Sequence, residues 1–290
     1  MPACPDSTRS WFVRRLGTPR EALSFEPVRP RAPGRGEARV AVATVGLNFP
    51  DLLLCAGRYQ QRPPLPFSPG FEAAGTVVES GQRSAFATGQ RVLVVPELPD
   101  GALRESLTVP DGQLYPVPDS MPLRTAAVLH IAYQTAHLSL HHRGRLRAGD
   151  TLLVNGAAGG VGSAAVQLGR AAGAYVIATA TGPRKAAACL RSGADRAIDL
   201  SGDGDLVEQV RAATDGRGAD VIVDVVGGDL FDRLRHCVAF EGRIVVVGFT
   251  GGSIATAPTN HVLLRNYSVI GLHLAAYRRE NPALLHTVHD

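Results

Sequence analysis

A glycine-rich stretch, Gly-Ala-Ala-Gly-Gly-Val-Gly at residues 156–162, is the part of this sequence best suited to hold an anionic ligand. It follows an apolar run at residues 151–155 and precedes a pattern of helical period. Glycines let the chain turn tightly and approach a phosphate, and a helix start presents free N–H groups to it. The alternative is a strand-to-helix turn that binds nothing. The candidate ligands of a dinucleotide pyrophosphate are Ala158, Gly159, Gly160 and Val161.

The next apolar run, residues 175–180, ends in a segment that bears on the type of nucleotide. An NAD site usually has Asp or Glu at this point, because its carboxylate accepts hydrogen bonds from the ribose hydroxyls. Here the run is followed by Thr181, Arg184 and Lys185, and no carboxylate occurs before Asp195. Hydroxyl and cationic groups suit a 2′-phosphate, so the segment predicts NADPH. Lys185, the only lysine in the chain, could instead be an ordinary solvated helix residue.

The elements that position these two segments alternate between continuous apolar runs and helical patterns. Strands that read as continuous apolar runs are typical of a parallel sheet covered by helices on both faces. The pattern predicts a doubly wound α/β domain with a six-stranded parallel sheet. A long alanine-rich helix is also predicted over residues 123–140. The predicted strands are residues 151–155, 175–180, 196–199, 220–226, 243–247 and 267–272, and the helices between them are residues 160–172, 183–191, 205–214 and 230–239.

The earlier part of the chain has a different pattern. Short β-like runs are separated by proline and glycine clusters, which predicts an antiparallel, barrel-like domain. We therefore expect an α/β protein with a β-rich barrel domain over residues 1–122 and the dinucleotide-binding domain over residues 123–275. The predicted barrel strands include residues 38–45, 75–78, 91–95 and 114–117.

Composition excludes several classes of protein. With 290 residues, 45% hydrophobic residues and a net charge of +4, the chain is not intrinsically disordered. No uncharged apolar run reaches the ~20 residues that a membrane span requires, and residues 1–10 lack the apolar region of a secretory signal. Arginines are spread along the chain without interleaved aromatic residues, which disfavours nucleic-acid binding. The cysteines are far apart and predict reduced thiols in a cytoplasmic protein: Cys4, Cys55, Cys189 and Cys237.

Several segments, taken in order, carry a resemblance to a known family. The chain resembles the zinc-independent quinone oxidoreductase (zeta-crystallin-like) branch of the medium-chain dehydrogenase/reductase superfamily over nearly all of residues 12–275. The resemblance implies a GroES-like barrel domain followed by a Rossmann domain. The matching segments are residues 45–51 (Val-Gly-Leu-Asn-Phe-Pro-Asp), 69–75 (Pro-Gly-Phe-Glu-Ala-Ala-Gly), 89–92, 156–162, 193–195, 215–220 and 246–249.

The resemblance also implies site residues, each at its own position. Asn48 matches a residue near the nicotinamide, and Tyr59 matches a tyrosine of the substrate pocket, so both are candidate catalytic hydrogen-bond donors. Asn48 could instead only cap the helix that follows, and Tyr59 could only pack. Leu200 stands where some relatives have a tyrosine that helps to hold the phosphate. The other implied cofactor-binding residues are Thr135, Thr181, Lys185, Val226, Gly227, Gly248, Phe249 and Asn266.

Two phenylalanines stand at positions where zinc-dependent relatives have metal ligands. Zinc-dependent relatives carry a ligand Cys where this chain has Phe49 and a ligand His where it has Phe71. Phenylalanine cannot coordinate zinc, so the resemblance implies no metal.

We therefore predict an NADPH-dependent, metal-independent reductase of quinones or α,β-unsaturated carbonyls. Two alternatives stay open: an enoyl-thioester reductase, and a cofactor-binding protein with little catalysis. The resemblance implies a homodimer or another homo-oligomer, and the composition predicts no membrane or nucleic-acid partner. It also implies that residues 276–290 begin a return segment to the first domain that is cut short.

Overall fold

Two units make up the part of the chain that the computed structural model describes, residues 7–289. The first comprises the residues up to Ile131 together with His289, and the second runs from Ala132 to Val288. Cys4 lies outside the described residues. Among residues 7–289, every helix is too short or too polar to cross a bilayer.

The first unit contains an antiparallel sheet of five strands and a separate two-stranded ribbon. Its elements are β1 (Thr8–Val13), α1 (Pro19–Ala22), β2 (Leu23–Val28), β3 (Glu37–Gly46), α2 (Phe49–Cys55), β4 (Glu72–Ser80), β5 (Arg91–Val94), β6 (Ser106–Pro110), a 3₁₀ turn (Asp111–Gln113), β7 (Leu114–Pro116) and α3 (Leu123–Ala126). The sheet order is β6-β3-β4-β5-β7, and β1 pairs with β2. Apolar side chains such as Val40, Val77 and Leu107 form one buried cluster on this sheet. This arrangement confirms the β-rich GroES-like domain.

The helix predicted over residues 123–140 is interrupted, so that prediction is wrong in its length. A turn at residues 127–129 separates α3 from α4 (His130–His137). The break coincides with a contact distant in sequence, in which the N–H of Ile131 donates to the Glu72 carboxylate at 2.9 Å. Because first-turn N–H groups have no partner within their own helix, this buried carboxylate favours a new helix start.

The second unit is a doubly wound α/β domain that follows the predicted alternation. The chain enters it within α4, and its further elements are a π-helical turn (Leu138–Arg143), β8 (Thr151–Asn155), α5 (Gly160–Ala171), β9 (Tyr175–Ala180), α6 (Pro183–Arg191), β10 (Arg196–Asp199), α7 (Leu206–Ala212), β11 (Ala219–Asp224), α8 (Asp229–Leu234), β12 (Val238–Val246), α9 (Thr259–Arg265), β13 (Ser268–Gly271), α10 (Leu274–Glu280) and α11 (Pro282–His289).

All six strands of this unit are parallel, in the order β10-β9-β8-β11-β12-β13. The residues of β8 are all buried, and separate apolar clusters contain Val154 and its neighbour Leu153. Neighbouring residues of a strand point to opposite faces, so helices cover this sheet on both sides. The predicted Rossmann domain with a six-stranded parallel sheet is confirmed. It places the carboxyl ends of β8, β9 and β11 side by side.

Candidate functional site

The glycine-rich segment forms the turn between β8 and α5. Gly156 has φ of +74°, a region that side chains rarely adopt, and its carbonyl accepts the Gly159 N–H at 3.1 Å. The Ala157 N–H donates to the Thr179 carbonyl at the end of β9, at 3.0 Å. Gly162 lies so close to the turn that a Cβ there would stand 2.7 Å from Ala157 Cα. The shape of this turn therefore requires glycine at both ends.

The first turn of α5 is open to a ligand. Ala158, Gly159 and Gly160 are exposed, and Val161 is half-buried. Gly159 is the N-cap residue and has no side chain with which to bind the free N–H groups of the helix. A Cβ at Gly160 would have only the Ala132 side chain within 4 Å, at 3.9 Å. These amides and the positive end of the helix dipole fit the pyrophosphate of a dinucleotide.

A buried hydrogen-bond network of Asn155, Thr179 and Asp224 lies at the strand ends next to this turn. The Asn155 amide donates to Asp224 Oδ1 at 2.8 Å, and the Thr179 hydroxyl donates to Asn155 Oδ1 at 2.8 Å. Asp224 Oδ1 also accepts the N–H groups of Val226 and Gly227, each at 3.0 Å. Sequence analysis missed this network, although each member is a polar residue near the end of an otherwise apolar strand. It joins the carboxyl ends of three strands to the loop that follows β11.

The loop after β11 lies beside the glycine turn, and the loop after β12 lies beside the loop after β11. A Cβ on Gly156 would stand 2.9 Å from Val226 Cγ2, and a Cβ on Gly227 would stand 2.7 Å from the Phe249 ring. A Cβ on Gly248 would be 3.5 Å from the carbonyl of the residue preceding Val226. The structure therefore brings these predicted cofactor-binding positions together at one end of the sheet.

Thr135 lies on the helix next to this turn. It is buried on α4, one turn after Ala132, whose side chain is the neighbour of Gly160. Its carbonyl accepts the Ser139 hydroxyl at 2.7 Å. The helix face that carries Thr135 is therefore adjacent to the phosphate turn.

The predicted 2′-phosphate residues lie at the end of β9 and the start of α6. Thr181, Arg184 and Lys185 are exposed, and neither cation forms an ion pair within residues 7–289. Gly182 is the N-cap residue of α6, and its N–H donates to Asp199 Oδ1 at 2.7 Å. A carboxylate therefore does lie at this point, contributed by the neighbouring strand β10. Inspection of the residues directly after β9 could not find it.

Asn266 is the exception among the predicted cofactor-binding residues. It ends α9 in the left-handed region, with φ of +50°, and directly precedes the start of β13. It lines a pocket with Arg217 and Gly218, which precede β11. Because the strands are parallel, these residues lie at the amino end of the sheet, opposite the glycine turn. The structure does not bring Asn266 to the site, and this part of the prediction is corrected.

In the first unit, Asn48 is the N-cap residue of α2 and bonds to two carboxylates. Its backbone N–H donates to Asp51 Oδ2 at 2.8 Å, and its side-chain Nδ2 donates to Glu72 Oε1 at 2.8 Å. Nδ2 also lies 3.4 Å from the Gly46 carbonyl, which takes its second hydrogen. The carbonyl Oδ1 can only accept, and it keeps capacity for a second donor besides the Asp51 backbone N–H of the capping box. Asn48 thus offers a ligand an acceptor, whereas the sequence predicted a donor.

Glu72 and Asp51 give this unit two carboxyl groups that titrate near neutral pH. Glu72 is only 1% exposed, and its second oxygen accepts the Ile131 N–H. Burial raises the pKa of Glu72 to about 7, although the hydrogen bonds from Asn48 and Ile131 oppose the rise. Burial likewise raises the pKa of Asp51 to about 6, although hydrogen bonds from the N–H groups of Asn48 and Gly70 oppose the rise. Sequence analysis missed Glu72, whose partners are 24 and 59 residues away.

Glu72→Gln should weaken the pH dependence of stability. Because the folded pKa of Glu72 is about 7 against an ordinary 4.5, the folded state keeps a proton that the unfolded state releases. The stability from this group is complete below pH 4.5 and is lost as pH rises through 7. At ~1.4 kcal/mol per pKa unit, the parent should lose about 3 kcal/mol more than the variant between pH 4.5 and 8.

Urea unfolding at several pH values measures this difference. Asp51 is present in both proteins, so its own contribution largely cancels, apart from its repulsion of the Glu72 carboxylate. Parallel pH profiles for parent and Glu72→Gln would show that Glu72 is not protonated in the folded state.

Tyr59 is partly buried against a small apolar cluster that includes Leu54 and Phe67. Its ring meets Phe71 edge-on, with 5.4 Å between ring centroids. The aromatic contact fixes the ring, and the phenol group is the polar end of the side chain. Tyr59 therefore stays a candidate donor held by packing.

The side chains of the described residues do not suit a zinc ion. Phe49 and Phe71 have no atom that can coordinate a metal. Across residues 7–289, no group of three His, Cys, Asp or Glu residues could hold one.

Comparisons with known proteins agree with both units. Residues 34–119 match the family described as "Alcohol dehydrogenase GroES-like domain", and residues 160–290 match "Zinc-binding dehydrogenase". The chain is 38% identical over 267 residues to quinone oxidoreductase-like protein 2 of Mus musculus, covering 91% of this chain and 75% of that protein.

Solved structures show the same architecture. The quinone oxidoreductase from Thermus thermophilus, solved alone and with NADPH, matches with a TM-score of 0.82 and 32% identity over 97% of this chain and 85% of that chain. The CurK enoyl reductase matches with a TM-score of 0.86 and 26% identity over 98% and 86%. The alignment with the Mus musculus relative spans most of both proteins. The chain belongs to the quinone oxidoreductase branch of the medium-chain dehydrogenase/reductase superfamily and is an oxidoreductase.

Proposed function

We propose that the protein is an NADPH-dependent, metal-independent reductase of quinones or α,β-unsaturated carbonyls. The observation that carries this proposal is the open first turn of α5, where a glycine N-cap leaves backbone N–H groups free beside an exposed surface. Amides of residues 158–161 would hold the pyrophosphate, and Thr181 and Lys185 would hold the 2′-phosphate. NADPH, when bound, supplies a hydride. The T. thermophilus relative with NADPH supports the choice of cofactor.

The substrate class follows from the donors that the chain offers. Phe49 and Phe71 provide no ligand for a Lewis-acid metal, so a simple carbonyl would not be strongly polarised. Quinones and enones are already electrophilic, because negative charge that develops on them is delocalised onto a conjugated oxygen. We propose that the Tyr59 hydroxyl donates a hydrogen bond to that oxygen. The Oδ1 atom of Asn48 would accept a hydrogen bond from a bound amide or hydroxyl group.

A second candidate is reduction of an enoyl thioester. The match to the CurK enoyl reductase favours it, since an enoyl thioester is also a conjugated carbonyl compound. The cofactor-binding protein with little catalysis is the remaining alternative. The homo-oligomeric state and the cytoplasmic location stay predictions.

Lys185→Ala tests the cofactor part of the proposal. Lys185 is exposed in the first turn of α6, and loss of its contact with a 2′-phosphate should raise the NADPH dissociation constant about 10-fold, or ~1.4 kcal/mol. The NADH dissociation constant should not change, because NADH has no 2′-phosphate. Quenching of protein fluorescence by each nucleotide measures both constants.

Arg191→Ala is the matched control, since it removes one exposed positive charge from the last turn of the same helix. It should leave the ratio of the two constants unchanged. If Lys185→Ala weakens both nucleotides equally, Lys185 does not recognise the 2′-phosphate.

A further inference from the structure

Asp199 places a fixed negative charge beside the proposed 2′-phosphate subsite. It is the last residue of β10 and pairs with Ala180, the last residue of β9. Its Oδ1 atom accepts the Gly182 N–H at 2.7 Å, the Ser201 N–H at 2.9 Å and the Ser201 hydroxyl at 2.7 Å. These hydrogen bonds lower the pKa of Asp199, so the carboxylate is ionised at neutral pH.

This charge has no compensating partner within residues 7–289. None of the ion pairs described there includes Asp199, and its Oδ2 atom accepts no hydrogen bond from the described residues. Arg184 and Lys185, the cations nearest in sequence to Gly182, are exposed and form none of these ion pairs either. A phosphate held by Thr181 and Lys185 would therefore share its surroundings with a free carboxylate oxygen.

The Asp199 carboxylate also removes one backbone donor that the start of α6 could give to a phosphate. Gly182 is the N-cap residue of this helix, and its N–H is already bound by Asp199. A phosphate monoester carries about −1.5 to −2 charges at pH 7, so it is repelled by a nearby carboxylate. A ribose 2′-hydroxyl is a hydrogen-bond donor, and a carboxylate oxygen is the acceptor that it prefers. The Asp199 carboxylate therefore opposes binding of NADPH and favours binding of NADH.

We infer that Asp199 is a nucleotide-selectivity residue. Its carboxylate weakens binding of the 2′-phosphate, so that the protein can bind NADH as well as NADPH. The inference rests on the proposed function, in which a nicotinamide dinucleotide binds at the glycine turn. Thr181 and Lys185 set a preference for NADPH, and Asp199 limits it.

Asp199→Asn tests this inference with little change of shape, because the amide oxygen can still accept the hydrogen bonds of Gly182 and Ser201. We expect the NADPH dissociation constant to fall about 10-fold and the NADH constant to rise a few-fold, since a charge-assisted bond is lost. The gain in NADPH affinity should shrink at high salt, because exposed charges are screened. Calorimetric titration with each nucleotide measures both constants. Asp199→Ser, which keeps a small acceptor without charge, should shift the ratio in the same direction.

Asp203→Asn is the control, because it removes one exposed negative charge from the same loop. It should leave the ratio of the two constants unchanged. If Asp199→Asn and Asp199→Ser weaken both nucleotides equally, or leave the ratio as in the parent, the inference is wrong while the proposed function stands. If the parent binds neither nucleotide, both are wrong.

Discussion

Gly162→Ala should destabilise the second unit and strongly weaken binding of a dinucleotide. A Cβ at this position would overlap the Gly156 carbonyl oxygen and stand 2.7 Å from Ala157 Cα, and both neighbours are backbone atoms. The chain can only make room by opening the turn that presents the phosphate-binding amides. Overpacking of this kind costs about 1–3 kcal/mol. Distortion of the turn should weaken NADPH binding by about 100-fold, or ~2.7 kcal/mol.

The matched control is Gly160→Ala, two residues earlier in the same helix. Its Cβ would have only the Ala132 side chain within 4 Å, at 3.9 Å, so the free energy of unfolding should not fall. Chemical unfolding followed by circular dichroism compares the stability of the two variants, and fluorescence titration gives the NADPH affinity of Gly162→Ala. A Gly162→Ala protein as stable as Gly160→Ala, with the NADPH affinity of the parent, would contradict this account of the turn.

Asp224→Ala should have the largest effect on stability of any single change in the buried network. The substitution removes the acceptor of the Asn155 amide and of the Val226 and Gly227 N–H groups. Each buried donor left without a partner costs about 1–3 kcal/mol, and breaking a buried charged network costs about 3–5 kcal/mol in total. We therefore expect a loss of about 3–5 kcal/mol and weaker nucleotide binding, because residues 226–227 lie beside the glycine turn.

Asp224→Asn separates the hydrogen bonds from the charge. Its amide oxygen can replace Oδ1, and the other carboxylate oxygen is buried without a hydrogen-bond partner in the described part of the chain. The variant should therefore recover only part of the stability that Asp224→Ala loses, because its amide N–H groups are buried where that oxygen has no partner. Urea unfolding measures both losses. If alanine and asparagine cost the same, the network through Oδ1 does not hold the loop in place.

The phosphate turn could be predicted because its signal is local. A buried strand, closely spaced glycines and a helix start follow one another within residues 151–172, so no distant contact is needed to recognise them. Most of the six parallel strands could be predicted for the same reason, since they are largely apolar runs, although β10 reads Arg-Ala-Ile-Asp. The position of Asn266 could have been corrected from the sequence, because a residue before a parallel strand lies at the end of the sheet opposite the turns that follow the strands.

Other features depend on contacts between residues far apart in the sequence. The helix break near residue 128 coincides with a hydrogen bond to Glu72, 59 residues before Ile131. Asp199 reaches Gly182 only because β10 pairs with β9, a pairing that brings together residues 17 positions apart. One side-chain N–H of Asn48 is taken by Glu72, 24 residues later, which no local pattern shows. These contacts decide the acceptor role of Asn48 and the charge at the nucleotide subsite.

The most direct test of the central claim is the rate of NADPH oxidation by the purified protein with a quinone, an enone and an enoyl thioester, each with and without a chelator. We predict turnover with the quinone or the enone that the chelator does not change, because Phe49 and Phe71 offer no metal ligand. Turnover confined to the enoyl thioester would favour the second candidate function. Tight NADPH binding without turnover of any substrate, or activity that the chelator abolishes, would contradict the account.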